Sequence, residues 1–262
     1  MAPFFMLNSS LRLTLEENKK VYFVSDLHLG APDLLESRVR EKRLAAWLDS
    51  ITPKAQSIFF VGDIFDFWFE YRHVVPKGFL VFFGKLVDLI NKGIEVHFFT
   101  GNHDLWMGKY LEEELGVKIH QQPMSFIIAS KNFYIGHGDG LGAKNHLFRK
   151  IRWVLLNKYL RYLFSWLHPD IGVSIAKRIS IDSYKRKKLN KEKSFGMREW
   201  LIQHSLIVQK IRQHHFYVYG HRHMKLNLKI DSWQFINLGD WYNGCPYAVF
   251  DGENIDLQEF TD

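Results

Sequence analysis

The chain has 262 residues, 47% hydrophobic and 24% charged, so it can bury a real core and fits one large domain or two small ones. Wholesale disorder is excluded, and so is a spanning helix, because the richest apolar segment, 151–167, is broken by Arg152, Asn157, Lys158 and Arg161. A net charge of +7 beside 16% aromatic residues suits an anionic, partly apolar partner, either nucleic acid or a lipid surface.

In chain order, apolar runs end in Gly, Asp, His or Asn at 21–26, 58–63, 94–101, 132–137, 216–221 and 235–240. Nearly continuous apolar runs of this length read as strands buried on both faces. Helical stretches fill 33–50 and 76–91 between the first three, the second closed by Gly93, and this alternation predicts an α/β fold with a parallel sheet of right-handed crossovers. A basic helical block follows. Then come a helix near 197–212 and closing strands at 247–250 and 255–260. Cys245 is the single cysteine and 1–7 lacks a basic n-region, so a reducing, cytoplasmic setting is expected.

The polar residues stand where the strands end, which in open α/β sheets is where the ligand crevice lies. They read Asp26-Leu-His28, Gly62-Asp63, Gly101-Asn-His-Asp104, Gly136-His-Gly-Asp139 and Gly220-His-Arg-His223. Singly, an Asp after a strand is usually a turn or cap residue, and a lone His a satisfied core one. Five consecutive strand ends with metal-capable groups are a different matter. Carboxylate, amide and imidazole donors without sulfur suit octahedral Mn²⁺, Fe²⁺ or Mg²⁺, or Zn²⁺, and not a zinc finger. Seven candidate ligands, Asp26, His28, Asp63, Asn102, His137, His221 and His223, exceed what one ion with an open position needs. Two ions bridged by one carboxylate fit the count and form the clamp used for displacement at phosphorus.

In this order the motifs resemble the signature of the calcineurin-like metallophosphoesterases, from Asp26 to His223. The resemblance implies a four-layer sandwich of two mixed β-sheets flanked by helices, one domain over 1–262 with a helical cap inserted at about 140–195. It implies that Asp26, His28, Asp63 and His223 hold one metal and Asp63, Asn102, His137 and His221 the other, with Asp63 as the bridge. An ionised bridge with two oxygens is a role Asp63 can fill and Asn102 cannot. His103 is expected to approach the phosphate and assist the leaving oxygen, so His103, Asp63 and Asn102 are the catalytic candidates; the alternative for His103 is to orient Asn102 alone. Asp66 would steer a metal-bound histidine or serve as a helix N-terminal charge.

The substrate must be read from the basic block. Residues 140–195 hold fourteen Lys and Arg against three acids, which leaves 21 basic and 25 acidic residues over the rest. Within 151–168, Asn157, Arg161, Ser165 and His168 form one narrow polar stripe on an otherwise apolar helix, and a second helix starting at His168-Pro-Asp170 carries Lys177, Arg178 and the run Lys185 to Lys188. Such a pair fits a lid that admits an acylated substrate and rests on anionic headgroups; the plain alternative is a helical subdomain with a solvated basic face. Nucleic acid is not expected, because single-strand binders spread aromatics along a polar groove.

The insertion, with Gly138-Asp-Gly-Leu-Gly142, Leu167-His-Pro-Asp-Ile-Gly172 and Ile175-Ala176, resembles the UDP-2,3-diacylglucosamine pyrophosphatases of lipid A synthesis, in the branch of Bacteroidetes-type bacteria. That resemblance implies water attack on the α-phosphorus of the acylated nucleotide sugar, giving UMP and the acylated sugar 1-phosphate (lipid X). It also implies two divalent ions, usually Mn²⁺, and a peripheral site on the cytoplasmic face of the inner membrane with no obligate protein partner. Asn145, Arg149, Lys177, Arg178 and His221 are the expected substrate contacts. The chain departs from the best-known branch in carrying His103 where that branch has Arg. A metallophosphoesterase of other specificity, a nucleotide phosphodiesterase or a phosphatase, is the alternative, and a non-catalytic scaffold is disfavoured because all seven ligand positions keep competent side chains.

Overall fold

A computed structural model describes residues 10–142, 146–189, 196–242 and 244–261; the side chains of 146–149, 151, 179 and 181–189 also lie outside that description. Strands β1 (Leu11–Leu13) and β2 (Lys20–Val24) are followed by α1 (Leu34–Ile51), β3 (Ala55–Val61), α2 (Leu80–Asn91), β4 (Glu95–Phe99), α3 (Tyr110–Leu115) and β5 (Lys118–His120). After β6 (Met124–Ile128) and β7 (Lys131–Ile135) come three helices, α4 (His146–Leu155), α5 (Lys158–Ser165) and α6 (Pro169–Leu189). The chain closes with α7 (Trp200–Ile211), β8 (Phe216–Tyr219), β9 (Lys225–Ile230), β10 (Trp233–Leu238), β11 (Pro246–Phe250) and β12 (Ile255–Glu259).

Two six-stranded mixed sheets result, ordered β12-β11-β2-β3-β4-β5 and β1-β6-β7-β8-β10-β9. The expected parallel unit is β2, β3 and β4, and β5 extends it in parallel at the edge. Its strands are apolar throughout because each face meets a different layer. Tyr22, Val24, Ile58, Phe60 and Phe98 pack on Trp47 and Leu48 of α1 and Phe82 and Leu86 of α2. The alternate residues Val21, Phe23, Phe59, Val61 and Phe99 meet Phe126, Phe133, Ile135, Phe216 and Val218 of the second sheet. On that sheet's far side Tyr134, Tyr217 and Tyr219 pack against Leu201, Ile202 and Val208 of α7. Helices, sheet, sheet and helix make four layers, as the resemblance implies.

Three boundaries differ from the sequence reading. The helix expected from residue 76 begins at Leu80, because Phe79 takes a left-handed backbone at φ 61° after Gly78 at φ 114°; its ring packs instead on Phe65, at 4.9 Å between centroids. The single helix expected over 151–168 is two helices. Asn157 turns extended at ψ 122° and its side chain accepts from the backbone N–H groups of Tyr159 and Leu160, so it is the N-cap of α5 and not part of a stripe. The helix expected from 197 begins at Trp200, after a short 3₁₀ turn at Gly196–Arg198.

Candidate active site

The strand ends bring the sequence candidates together. Asp26, Asp63 and His137 each stand two residues beyond the last residue of β2, β3 and β7; Asn102 follows β4 by three, and His221 and His223 follow β8. The crevice therefore draws on the carboxyl edges of both sheets. Of ten non-glycine residues with positive φ among those described, five are Asp26, His28, Asp63, His221 and His223. Such backbone costs of order 1–3 kcal/mol each and persists where surrounding structure over-determines it, so the sharp turns that aim these side chains into one crevice are imposed by their packing.

Two motif glycines show that packing. A Cβ on Gly62, itself at φ 84°, would lie 2.5 Å from the His137 ring, and one on Gly220 would strike the hydroxyl of Ser25 and lie 2.6 Å from Asp26 Oδ2. Each glycine thus makes room for a ligand candidate from another strand. Asp104 stitches the loops from below: its Oδ1 accepts from Gly101 N at 2.6 Å and its Oδ2 from Ile64 N at 2.8 Å. Burial and the charge of Asp63 raise its pKa to about 6.

The ligand atoms gather into groups within 4.8 Å: Asp26, His28 and His223; Asp63, His137 and His221; and His28, Asp63 and His103. Asp63 Oδ2 lies 3.2 Å from His137 Nε2 and 3.9 Å from His28 Nε2, between the first two groups. His223 Nε2 is 3.2 Å from Asp26 Oδ1. Burial alone would raise both carboxyl pKa values, yet the imidazoles of His223 and His28 hold Asp26 well below the usual range, and those of His137 and His103 do the same for Asp63. His137 shows the reverse sign: burial opposes its charge, but Asp63, Asp26 and Asp139 push its pKa up to about 10. This is a field that attracts cations.

The residues fit a divalent metal on their own terms. Asp26 Oδ1, Asp63 Oδ2 and Asn102 Oδ1 are buried with no hydrogen bond, and a buried acceptor left so costs about 1–3 kcal/mol. A cation coordinated by oxygen and imidazole nitrogen removes that cost. His137 donates Nδ1–H to Val61 O at 2.9 Å, which presents Nε2 to the crevice.

His103 stands beside this cluster. Its backbone N–H donates to Asp63 Oδ1 at 2.8 Å, and its Nδ1 is 3.0 Å from Asp66 O and 3.3 Å from Asp66 Oδ1. Asp66 lies in a loop and caps no helix; the histidine it holds is His103, which is not among the seven ligand candidates, and its Oδ1 is 3.8 Å from Nδ1 of the ligand candidate His28. It also accepts from Ser180 Oγ of α6. Helix α4 meets the site at two further points, Arg152 Nε to Asp139 Oδ2 at 2.8 Å and Trp106 Nε1 to Leu155 O at 2.7 Å.

Between helices α4–α6 and the loops after β3 and β4 lies a cavity of about 260 Å³ that opens on Asn102, His103 and Asp66 and is otherwise walled by Phe67, Trp68, Leu105, Trp106, Leu155, Phe164, Ile175, Ala176 and Ser180. Sequence reading expected the helical side of this wall, from the apolar face of 151–168, and missed the loop side, since aromatic residues in a loop such as 67–69 carry no periodicity; the nearest signal was the Phe-Trp-Phe run beside Asp66. Of the expected substrate contacts, His221 is in the cluster, its backbone N–H donating to Asp26 Oδ2 at 2.8 Å. Lys177 and Arg178 are exposed on α6 and do not line the cavity. Asn145 and the side chain of Arg149 lie outside the described residues.

A family model described as calcineurin-like phosphoesterase matches residues 19–226. A UDP-2,3-diacylglucosamine hydrolase of Porphyromonas gingivalis is 37% identical, over 93% of this chain and 98% of its own. Proteins of the same name from Haemophilus influenzae and Vibrio atlanticus are 26% and 24% identical, over 85% and 91% of this chain and 91% and 96% of theirs.

Proposed function

Since the chain belongs to the calcineurin-like phosphoesterase family, we propose that it hydrolyses the pyrophosphate of UDP-2,3-diacylglucosamine to UMP and 2,3-diacylglucosamine 1-phosphate in lipid A biosynthesis. The observation that carries this reading is the apolar cavity opening directly on Asn102 and His103. A phosphoester site for small polar substrates has no use for a wall of Phe67, Leu105, Trp106 and Phe164, whereas a substrate with acyl chains beside its diphosphate does.

The side chains divide the work by chemistry. Asp26, His28, Asp63 and His223 would hold one divalent ion and Asp63, Asn102, His137 and His221 the other, with Mn²⁺ the proposed metal and Fe²⁺, Mg²⁺ or Zn²⁺ compatible with the donors. When bound, the ion pair supplies Lewis acidity to a phosphoryl oxygen and acidifies the attacking water. Water oxygen bonds to the α-phosphorus, the bond from that phosphorus to the bridging oxygen breaks, and the oxygen leaves with the sugar phosphate. With Nδ1 turned to Asp66, His103 offers its Nε2 side to the departing oxygen or to the phosphoryl oxygens. The cavity orients the acyl end, which holds the diphosphate over the cluster.

The cap is also the proposed contact with an anionic membrane surface, which would make the enzyme peripheral on the cytoplasmic face of the inner membrane. Trp153, Tyr159, Tyr162, Leu163 and Trp166 of α4, α5 and the turn that follows are 61–75% exposed, amid a segment rich in Lys and Arg. Comparing UDP-2,3-diacylglucosamine with deacylated UDP-glucosamine tests the substrate reading. The acylated compound should react at least about 10²-fold faster in kcat/KM, given about 0.8 kcal/mol for each methylene buried; equal rates would sink the acyl assignment.

A further inference from the structure

The two buried histidines that face Asp63 are held in unlike ways. His137 is fixed by its hydrogen bond to Val61 O. His28 has no such bond: its Nδ1 is buried without a hydrogen-bond partner, and the nearest carboxylate oxygen, Asp66 Oδ1, is 3.8 Å away. What lies on the ring is Tyr242, stacked at 5.3 Å between centroids and 20° between planes, with the edge of His103 at 4.6 Å and 85° on the ring as well. Tyr242 also stacks on His223, at 6.4 Å and 24°. Beneath it sits a guanidinium, with Arg40 Cζ 4.4 Å from the Tyr242 centroid.

Arg40 is itself anchored to the loop that carries His28. From α1 it donates Nε–H to Leu27 O at 2.6 Å and Nη2–H to His28 O at 2.9 Å and to Ala31 O. It is 6% exposed. One side chain thus fixes the backbone of the Asp26–His28 turn and backs the ring that fixes the His28 imidazole. A lysine could not do both, since a single ammonium lacks the planar fork.

We propose that Arg40 and Tyr242 are positioning residues for one half of the metal cluster, the Asp26, His28 and His223 group, and leave the Asp63, His137 and His221 group independent of them. This rests on the metal reading of the site. Positioning partners of metal ligands are worth about 10–100-fold in metal affinity, and the arrangement here predicts that such a loss falls on one ion of the two.

The test is calorimetric titration of the metal-stripped full-length protein with Mn²⁺, paired with metal counting by mass spectrometry after gel filtration. Tyr242→Ala should bind one ion as wild type does and the second about 10–100-fold more weakly, while Tyr242→Phe, which keeps the stack, should restore the second. Arg40→Lys should resemble Tyr242→Ala. Equal weakening of both ions, no weakening in Tyr242→Ala, or Tyr242→Phe as impaired as Tyr242→Ala would each overturn the proposal. Wild-type protein that takes up no divalent ion would overturn the metal reading beneath it, an outcome seen before any variant is compared.

Discussion

At the residue scale, the site depends on where protons are held. His103 is half-buried, its ring tied to Asp66 on one side and its backbone to Asp63. Replacing it with Gln should leave both ions bound and lower kcat by about 10²-fold; lost metal would assign it to the ligands, and unchanged turnover to orientation of Asn102. The seven ligand candidates were legible in the sequence because each sits at a strand end in a short polar motif. Arg40 and Tyr242 were not, since an arginine in a helix and a tyrosine after a strand look like surface residues until the fold buries one and stacks the other on His28. Asp66 was legible as a residue with two roles; no helix begins there, and the histidine it holds is His103 and not one of the ligand candidates.

At the element scale, the strands were easy to find because alternate residues of β2, β3 and β4 serve two cores. Strands β1, β5, β6 and β9 escaped: β1, β5 and β9 are three-residue or alternating polar segments that their neighbours, and not their own composition, hold in a sheet, and β6 is an apolar run that no Gly, Asp, His or Asn closes. The break at Asn157 was missed because the apolar period runs through it while the side chain caps the next helix. Strands β4 and β5 carry a feature apart from the crevice: His97 Nδ1 and His120 Nε2 are 2.9 Å apart, with Phe59 stacked on His97 at 4.4 Å. Burial lowers their pKa values to about 4 and about 3. The unfolded chain protonates both near pH 6.5 and the folded one does not, so their contribution is full above that pH and falls as pH drops toward 4. Between pH 7.5 and 5.5 each should cost about 1 kcal/mol of stability. Urea unfolding of wild type and His97→Phe at the two pH values measures it; a pH dependence equal in both proteins would contradict the assignment.

At the scale of the whole molecule, the net charge averages two unlike parts. Residues 140–195 hold fourteen of the 35 basic residues, and the remainder is mildly acidic, as a body that gathers carboxylates around cations would be. If the cap is what meets the membrane, Trp166→Ser with Tyr159→Ser should weaken sedimentation with phosphatidylglycerol-containing vesicles several-fold and leave thermal stability within about 0.5 kcal/mol of wild type, since both rings are exposed. Undiminished sedimentation would place the contact elsewhere. The central claim is that one end of a diphosphate is attacked while the cap holds the acylated other end. Turnover of UDP-2,3-diacylglucosamine with Mn²⁺ in ¹⁸O-water, read by mass spectrometry, tests it most directly. The account predicts one ¹⁸O in UMP and none in the acylated sugar phosphate; label in the sugar phosphate, or no UMP at all, would contradict it.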